Sequence, residues 1–266
     1  MLKSSPTIPT ELVDHILGFL HSDRDYDTLE TCSGIFPQVI DRHLYSQITV
    51  FEDKPETISN EYKGTYVVDP DDLSFILLRH PHIANYVRLI RIVISKKFPF
   101  RAGSFQVKVS SILPTLSRIE SIALCASDLH SWYLVDLKLC TAVQSSIRLP
   151  SIKEVDISNI DNFPLNVFRD CKNLRRLILL CQLCRFTGKA VDEFPCLLSL
   201  GIEIQSDMAI MTRIVSSCTL HTLSLSMTGP MDLPRCRTLI EACSATLVNL
   251  ELDHSFWGEL SPFLFN

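Results

Sequence analysis

A recurring pattern of apolar residues constrains this chain more than any other feature. The spacing L-x-x-L-x-L, with Ile or Val also allowed, occurs as Ile152/Val155/Ile157, Leu174/Leu177/Leu179, Leu197/Leu200/Ile202, Leu220/Leu223/Leu225 and Leu247/Leu250/Leu252. The starts of these copies lie 22, 23, 23 and 27 residues apart. Weaker copies precede them at Ile119/Ile122/Leu124 and Val87/Ile90/Ile92, spaced by 33 and 32 residues. Alternate residues of a strand point to opposite faces. The apolar positions of each copy therefore face one way and the residues between them the other. One copy cannot bury its apolar side alone. Several must stack into a parallel sheet over one continuous core.

Between the strand patterns lie helical ones. Ile210, Ile214 and Val215 form an apolar patch within Met208–Ser217, and Leu239, Ile240 and Cys243 form another within residues 237–245. Phe75, Ile76 and Leu78 do so before the first copy, and Ile112 and Leu113 before the second. A cycle of strand, loop and helix at 20–29 residues is the signature of leucine-rich repeats. Residues 70–255 resemble that family. The resemblance implies an α/β fold for residues 51–266: a leucine-rich-repeat solenoid of parallel strands with outer helices.

The outward strand positions then form the expected binding surface. They are Glu154, Asp156 and Ser158, then Arg176, Ile178 and Leu180, then Ser199, Gly201 and Glu203, then Thr222, Ser224 and Ser226, and finally Asn249, Glu251 and Asp253. Ile178 and Leu180 are apolar among polar neighbours, the anatomy of a recognition patch. Glu154, Asp156, Arg176, Ile178, Leu180 and Glu203 are the expected target-binding residues. The alternative is that Ile178 and Leu180 are covered by a neighbouring loop or exposed singly.

The N-terminal stretch reads differently. In Pro9-Thr10-Glu11-Leu12-Val13-Asp14-His15-Ile16-Leu17-Gly18-Phe19-Leu20, residues Val13, Ile16, Leu17 and Leu20 share one helical face. Leu12, Ile16 and Phe19 make a second apolar stripe beside it. One stripe serves the chain's own core and the second invites a partner. After a polar break the chain resumes with Leu29, Cys32 and Phe36, is interrupted by Pro37, and continues with Val39, Ile40, His43 and Leu44. This predicts two short helices with a kink between them. Ile48, Val50 and Phe51 then read as a short strand.

These residues carry a second resemblance. Ile8-Pro9-x-Glu11-Leu12-x-x-x-Ile16-Leu17, with Cys32-Ser33 and Arg42-His43-Leu44-Tyr45-x-x-Ile48 further on, resembles the F-box motif in its fungal form. The stretch from Cys-Ser to His-Leu is shorter here, and no Trp precedes Trp132. The resemblance implies that residues 1–50 are a small all-helical segment that docks the Skp-type adaptor subunit of a cullin–RING ubiquitin ligase. Pro9, Leu12, Ile16 and Leu17 would make that contact. The alternative is an amphipathic helical cap, which repeat arrays need at their open ends.

Composition narrows the function. A formal charge of −5 and a pI near 5.9 give no electrostatic basis for binding nucleic acid or anionic membranes. The start Met1-Leu2-Lys3-Ser4-Ser5-Pro6 lacks the apolar core of a signal peptide, and no apolar run approaches a bilayer's thickness. A cytoplasmic or nuclear protein with reduced thiols is expected. Cys181-Gln182-Leu183-Cys184, with Cys171 and Cys196 nearby, admits a zinc or thiol site in principle. The repeat register instead places Cys171, Cys196 and Cys218 inward, as small core residues. His80-Pro81-His82 reads as a surface loop. No Walker loop, nucleophile elbow or H-E-x-x-H occurs. The chain ends at Phe263-Leu264-Phe265-Asn266 without a polar cap, as a repeat array cut short would.

The reading is a non-enzymatic adaptor without metal or cofactor. It binds a Skp-type subunit by its N-terminal helices and a target protein by its repeats. A repeat scaffold without ligase role, and a thiol- or metal-dependent enzyme around Cys181 and Cys184, are the alternatives.

Overall fold

The computed structural model describes residues 12, 15, 37–53, 65–95, 102–180, 194–204, 208–227 and 229–254. The chain is α/β. Nine strands form one all-parallel sheet: β1 (Gln47–Phe51), β2 (Tyr66–Val68), β3 (Leu89–Ile94), β4 (Ser121–Ser131), β5 (Glu154–Asp161), β6 (Arg176–Leu180), β7 (Ser199–Glu203), β8 (Thr222–Met227) and β9 (Asn249–His254). Their order is β2-β1-β3-β4-β5-β6-β7-β8-β9, so β3 lies beside β1 rather than β2, and from β4 onward each strand lies beside its sequence neighbours. The described helices are α1 (Pro37–Leu44), α2 (Pro70–Arg79), α3 (Ala102–Ile112), α4 (Leu137–Ile147), α5 (Met208–Ser217) and α6 (Leu233–Cys243).

One register runs through the sheet. Ile48, Ile90, Ile122, Val155, Leu177, Leu200, Leu223 and Leu250 form one ladder. Val50, Ile92, Leu124, Ile157, Leu179, Ile202, Leu225 and Leu252 form the next on the same face. These are the positions that the apolar spacing marked. Up to β8 they are fully buried, in one core with Val109, Ile112, Leu139, Val143, Ile214, Val215 and Leu239 of the helices. Parallel strands need a crossover long enough to return the chain, and the helices supply it while covering the apolar face.

The two ends of the sheet differ, and the sequence of each strand explains why. β8 reads Thr-Leu-Ser-Leu-Ser-Met, a strict alternation that keeps one face wet. β3 reads Leu-Ile-Arg-Ile-Val-Ile, nearly continuous in apolar residues. Accordingly Thr49, Phe51, Val93 and Ala123, which occupy outward positions on β1, β3 and β4, are buried as well. Thr49 Oγ1 satisfies its burial by donating to Thr65 Oγ1 at 2.8 Å. The sheet is closed on both faces near β1 and opens from β5 onward.

The chain follows several expectations and departs from others. Pro37 opens α1, the second of the two short helices expected, while the first and the kink between them fall on residues 29–36, outside the described residues. The boundary drawn between residues 50 and 51 falls inside β1, which pairs with β3 in the common sheet. α6 begins four residues before the helix expected over 237–245. On α2 the inward face is not Phe75, Ile76 and Leu78. Asp69 caps this helix by accepting from the backbone N–H of Asp71 at 2.8 Å and of Asp72 at 2.9 Å. Leu73, Ile76 and Leu77 face inward instead, at i, i+3 and i+4. Phe75 and Leu78 face solvent, where Phe75 packs under the Arg79 guanidinium at 4.5 Å.

The β5–β6 crossover carries a 3-10 helix, Leu165–Asp170, where an α-helix stands in most others. Aromatic rings fill the space instead. Trp132 meets Phe163 edge-on at 4.7 Å, and Phe163 stacks on Phe168 at 5.7 Å. The strand ends here bend through Asn159 and Asn162, both at positive φ, a region that Asn tolerates better than most side chains. Asn159 Nδ2 donates to the Ala126 carbonyl at 3.1 Å across β4 and β5.

The Asp69 cap gives a direct test. The N–H of Asp72, foremost among the causes, holds the Asp69 carboxyl below its ordinary 3.8. A group whose folded pKa is depressed stabilises the fold above its unfolded pKa and loses that contribution as pH falls. Asp69→Ala is expected to cost about 1 kcal/mol at neutral pH. The difference from the parent should shrink below roughly pH 4, near the unfolded carboxylate value. Urea melts at both pH values would reveal it.

Candidate functional site

Two regions carry the residues expected to bind partners: the N-terminal segment and the open face of the sheet. In the first, Leu12 lies in helical conformation and is 49% exposed, a large apolar side chain in water; His15 is exposed beside it. Pro9, Ile16 and Leu17 lie outside the described residues. The later part of the motif is placed otherwise. Ile40 and Leu44 of α1 are buried, and Ile48 belongs to the first inward ladder of the sheet. His82, of the His-Pro-His stretch, puts Nε2 3.6 Å from Asp41 Oδ2, which ties α1 to the turn after α2.

The open face is built from the outward positions of β5 to β9. Glu154 and Arg176 stand in register and both are exposed. No ion pair joins them among the described residues, so both charges remain turned to solvent. Asp156 is in register with Ile178, and Ser158 with Leu180. The Ser158 hydroxyl donates to Asp156 Oδ1, which orients that carboxylate across the face. Ile178 and Leu180 are half-buried.

Gly201 shapes this patch. It is the register partner of Ile178 on β7. A Cβ added at Gly201 would stand 3.4 Å from Ile178 Cγ1 and 3.5 Å from Cγ2. Gly201 is buried, so the Ile178 side chain lies against a strand position that presents no side chain of its own. The sequence pattern marked Gly201 as an outward position but not its closeness to Ile178.

Beyond Gly201 the surface turns acidic. Burial, then the charges of Asp161 and Asp232, push the Glu203 carboxyl above its ordinary value. Glu251 and Asp253 on β9 are exposed on the same face. A protein surface with an apolar pair at the centre and charges around it has the composition of a modest interface.

The thiols fall into two groups. Cys171 and Cys218 are buried. The Cys171 thiol donates to the Ile147 carbonyl at 3.3 Å, and burial pushes it up to about 11. Such a thiol is a poor nucleophile at neutral pH. Cys196 corrects the expectation of an inward position: it is exposed. It precedes the leading Leu197 by one residue, so its side chain falls on the opposite side of an extended segment. The Thr219 hydroxyl, 3.2 Å from Sγ, holds this thiol below its ordinary value. Cys181 and Cys184 lie outside the described residues. Among the described residues, no three His, Cys, Asp or Glu side chains converge to hold a metal ion. No described helix is long and apolar enough to cross a membrane.

No protein-family model matches the chain, and no curated protein matches it.

Proposed function

We propose that this protein is a non-enzymatic adaptor, the substrate-recognition subunit of an SCF-type cullin–RING ubiquitin ligase. In this reading the sheet and its helices are a leucine-rich-repeat solenoid, and the N-terminal segment is an F-box. Pro9, Leu12, Ile16 and Leu17 dock the Skp-type subunit. The open face around Ile178 and Leu180 holds the target. The mechanism is proximity. Joining target and ligase in one assembly raises the target's effective concentration at the conjugating enzyme. No bond chemistry is required of this chain.

The ligase half of the reading rests on Ile8-Pro9-x-Glu11-Leu12-x-x-x-Ile16-Leu17. The structural observation that supports it is the exposure of Leu12, which leaves an apolar side chain for a partner to cover. The experiment is co-elution. The full chain mixed with a purified Skp-type subunit should elute as a complex on size exclusion, and separate elution would contradict the ligase role.

One observation favours a second reading. Ile40, Leu44 and Ile48, from the later part of the motif, are used in the chain's own packing. A repeat scaffold that binds a target and recruits no ligase would retain the open face and fail the co-elution.

The target half makes its own prediction. Rim charges such as Glu154, Arg176 and Glu203 govern association rate and salt dependence, while an apolar centre governs residence time. The acidic rim at Glu203, Glu251 and Asp253 suits a target with basic residues. Ile178→Ser with Leu180→Ser should weaken target capture, chiefly through faster dissociation, and leave adaptor binding unchanged. Crosslinks that place a captured target only on the helical side would refute this placement.

A further inference from the structure

The last described strand breaks the burial pattern of all the strands before it. In the first inward ladder, seven residues from Ile48 to Leu223 are at most 1% exposed, while Leu250 is 42% exposed. In the second, Val50 to Leu225 are equally buried, while Leu252 is 44% exposed. Val248, just ahead of β9, stands in solvent as well. Among the described residues β9 pairs with β8 alone, so the backbone groups of its other edge are available for a further partner. An open strand edge beside exposed apolar side chains is a surface that proteins ordinarily cover.

We infer that this end face is covered by the chain's own residues 255–266, which pack on Leu250 and Leu252 as a cap. Three observations select this occupant. The first is composition. Ser255-Phe256-Trp257-Gly258-Glu259-Leu260-Ser261-Pro262-Phe263-Leu264-Phe265-Asn266 holds six large apolar residues and one charge. That is far more apolar than a solvated segment requires. The second is attachment. The segment follows β9 directly, and a short tether gives an effective concentration of roughly millimolar. A second copy at micromolar concentration competes at a disadvantage of about a thousandfold. The third is charge. Glu251 and Asp253 edge this face. A second copy in a symmetric contact would bring the same carboxylates against them, whereas the segment brings only Glu259. Its Trp and Phe side chains supply the apolar area that the next strand of the array would otherwise supply.

Trp257 makes the test direct. The chain has two tryptophans, and Trp132 is buried against Phe163. The difference in acrylamide quenching between the full chain and its Trp257→Phe variant isolates Trp257. Its quenching constant should be at least threefold below that of free tryptophan amide, at every protein concentration. Leu250→Asp with Leu252→Asp should raise it close to the free value. Hydrogen exchange supplies a measurement that needs no change in the face itself. In the full chain carrying Trp257→Ser, amides of residues 250–254 should exchange faster than in the parent, with β6 and β7 unaffected. Trp257 quenched like the free amide in the parent would overturn the inference. So would shielding that grows with protein concentration, which identifies a second copy as the occupant, or exchange at residues 250–254 that Trp257→Ser leaves unchanged.

Discussion

Leu177→Ala is expected to destabilise the protein by roughly 2–5 kcal/mol, the range for truncating a buried leucine in a packed core. Leu177 is fully buried and lies in register between Val155 and Leu200, both buried as well. Removing its side chain leaves a cavity flanked by strands that are fixed on each side by their own hydrogen bonds, so the site collapses poorly. Leu78→Ala is the control. It lies on the solvent side of α2 and stands 81% exposed. Its cost should therefore be clearly smaller. Chemical denaturation of the two variants beside the parent reads both. An unchanged midpoint for Leu177→Ala would contradict the register.

Leu12→Asp combined with Ile16→Asp is expected to abolish binding of the Skp-type subunit and leave the sheet folded. Leu12 and Ile16 share the second apolar stripe that the sequence spacing predicts, and Leu12 is already exposed. An aspartate at Leu12 therefore leaves no cavity in the chain's own core. In a complex, the same change would bury a charge against an apolar partner surface, which binding cannot repay without a counter-charge. Near-total loss of co-elution with an unchanged denaturation midpoint is the expected pair of results. A double variant that still co-elutes with the adaptor sinks the docking hypothesis.

The sheet was legible because its physics is local and repeated. Each copy had to place three apolar residues on one face, and the spacing of Leu174, Leu177 and Leu179 states this without reference to the rest of the chain. The helix over Met208–Ser217 was legible for the same reason. On α2 two apolar spacings compete, Leu73/Ile76/Leu77 and Phe75/Leu78, and the first, at i, i+3 and i+4, faces in while Phe75 and Leu78 face out. β2 escaped notice because a three-residue strand has too little alternation to read. Its position outside β1 departs from the simple sequence order.

The candidate site was legible in part. Outward positions follow from the alternation, so Glu154, Asp156, Arg176, Ile178, Leu180 and Glu203 could be named together. Which outward positions stay accessible depends on what lies over the sheet. The near-continuous apolar run of β3 does mark a strand covered on both faces, and β6, with Ile178 and Leu180, carries a similar run. That Ile178 lies against the bare backbone of Gly201 on the neighbouring strand is a relation that exists only once the register is known. Cys196 failed for a plainer reason. Its proximity to an inward leucine was taken to set its direction, whereas adjacent residues of an extended segment point oppositely.

Calorimetric titration of the full chain with a purified Skp-type subunit separates an adaptor that joins a ligase subunit to a target from a scaffold without that role. A saturable one-to-one isotherm is expected for the parent, with an affinity of about micromolar or tighter, corresponding to roughly −8 kcal/mol or more, and no saturable heat for Leu12→Asp with Ile16→Asp. An absence of saturable heat with the parent chain, or an isotherm that the double variant leaves unchanged, would contradict the adaptor role.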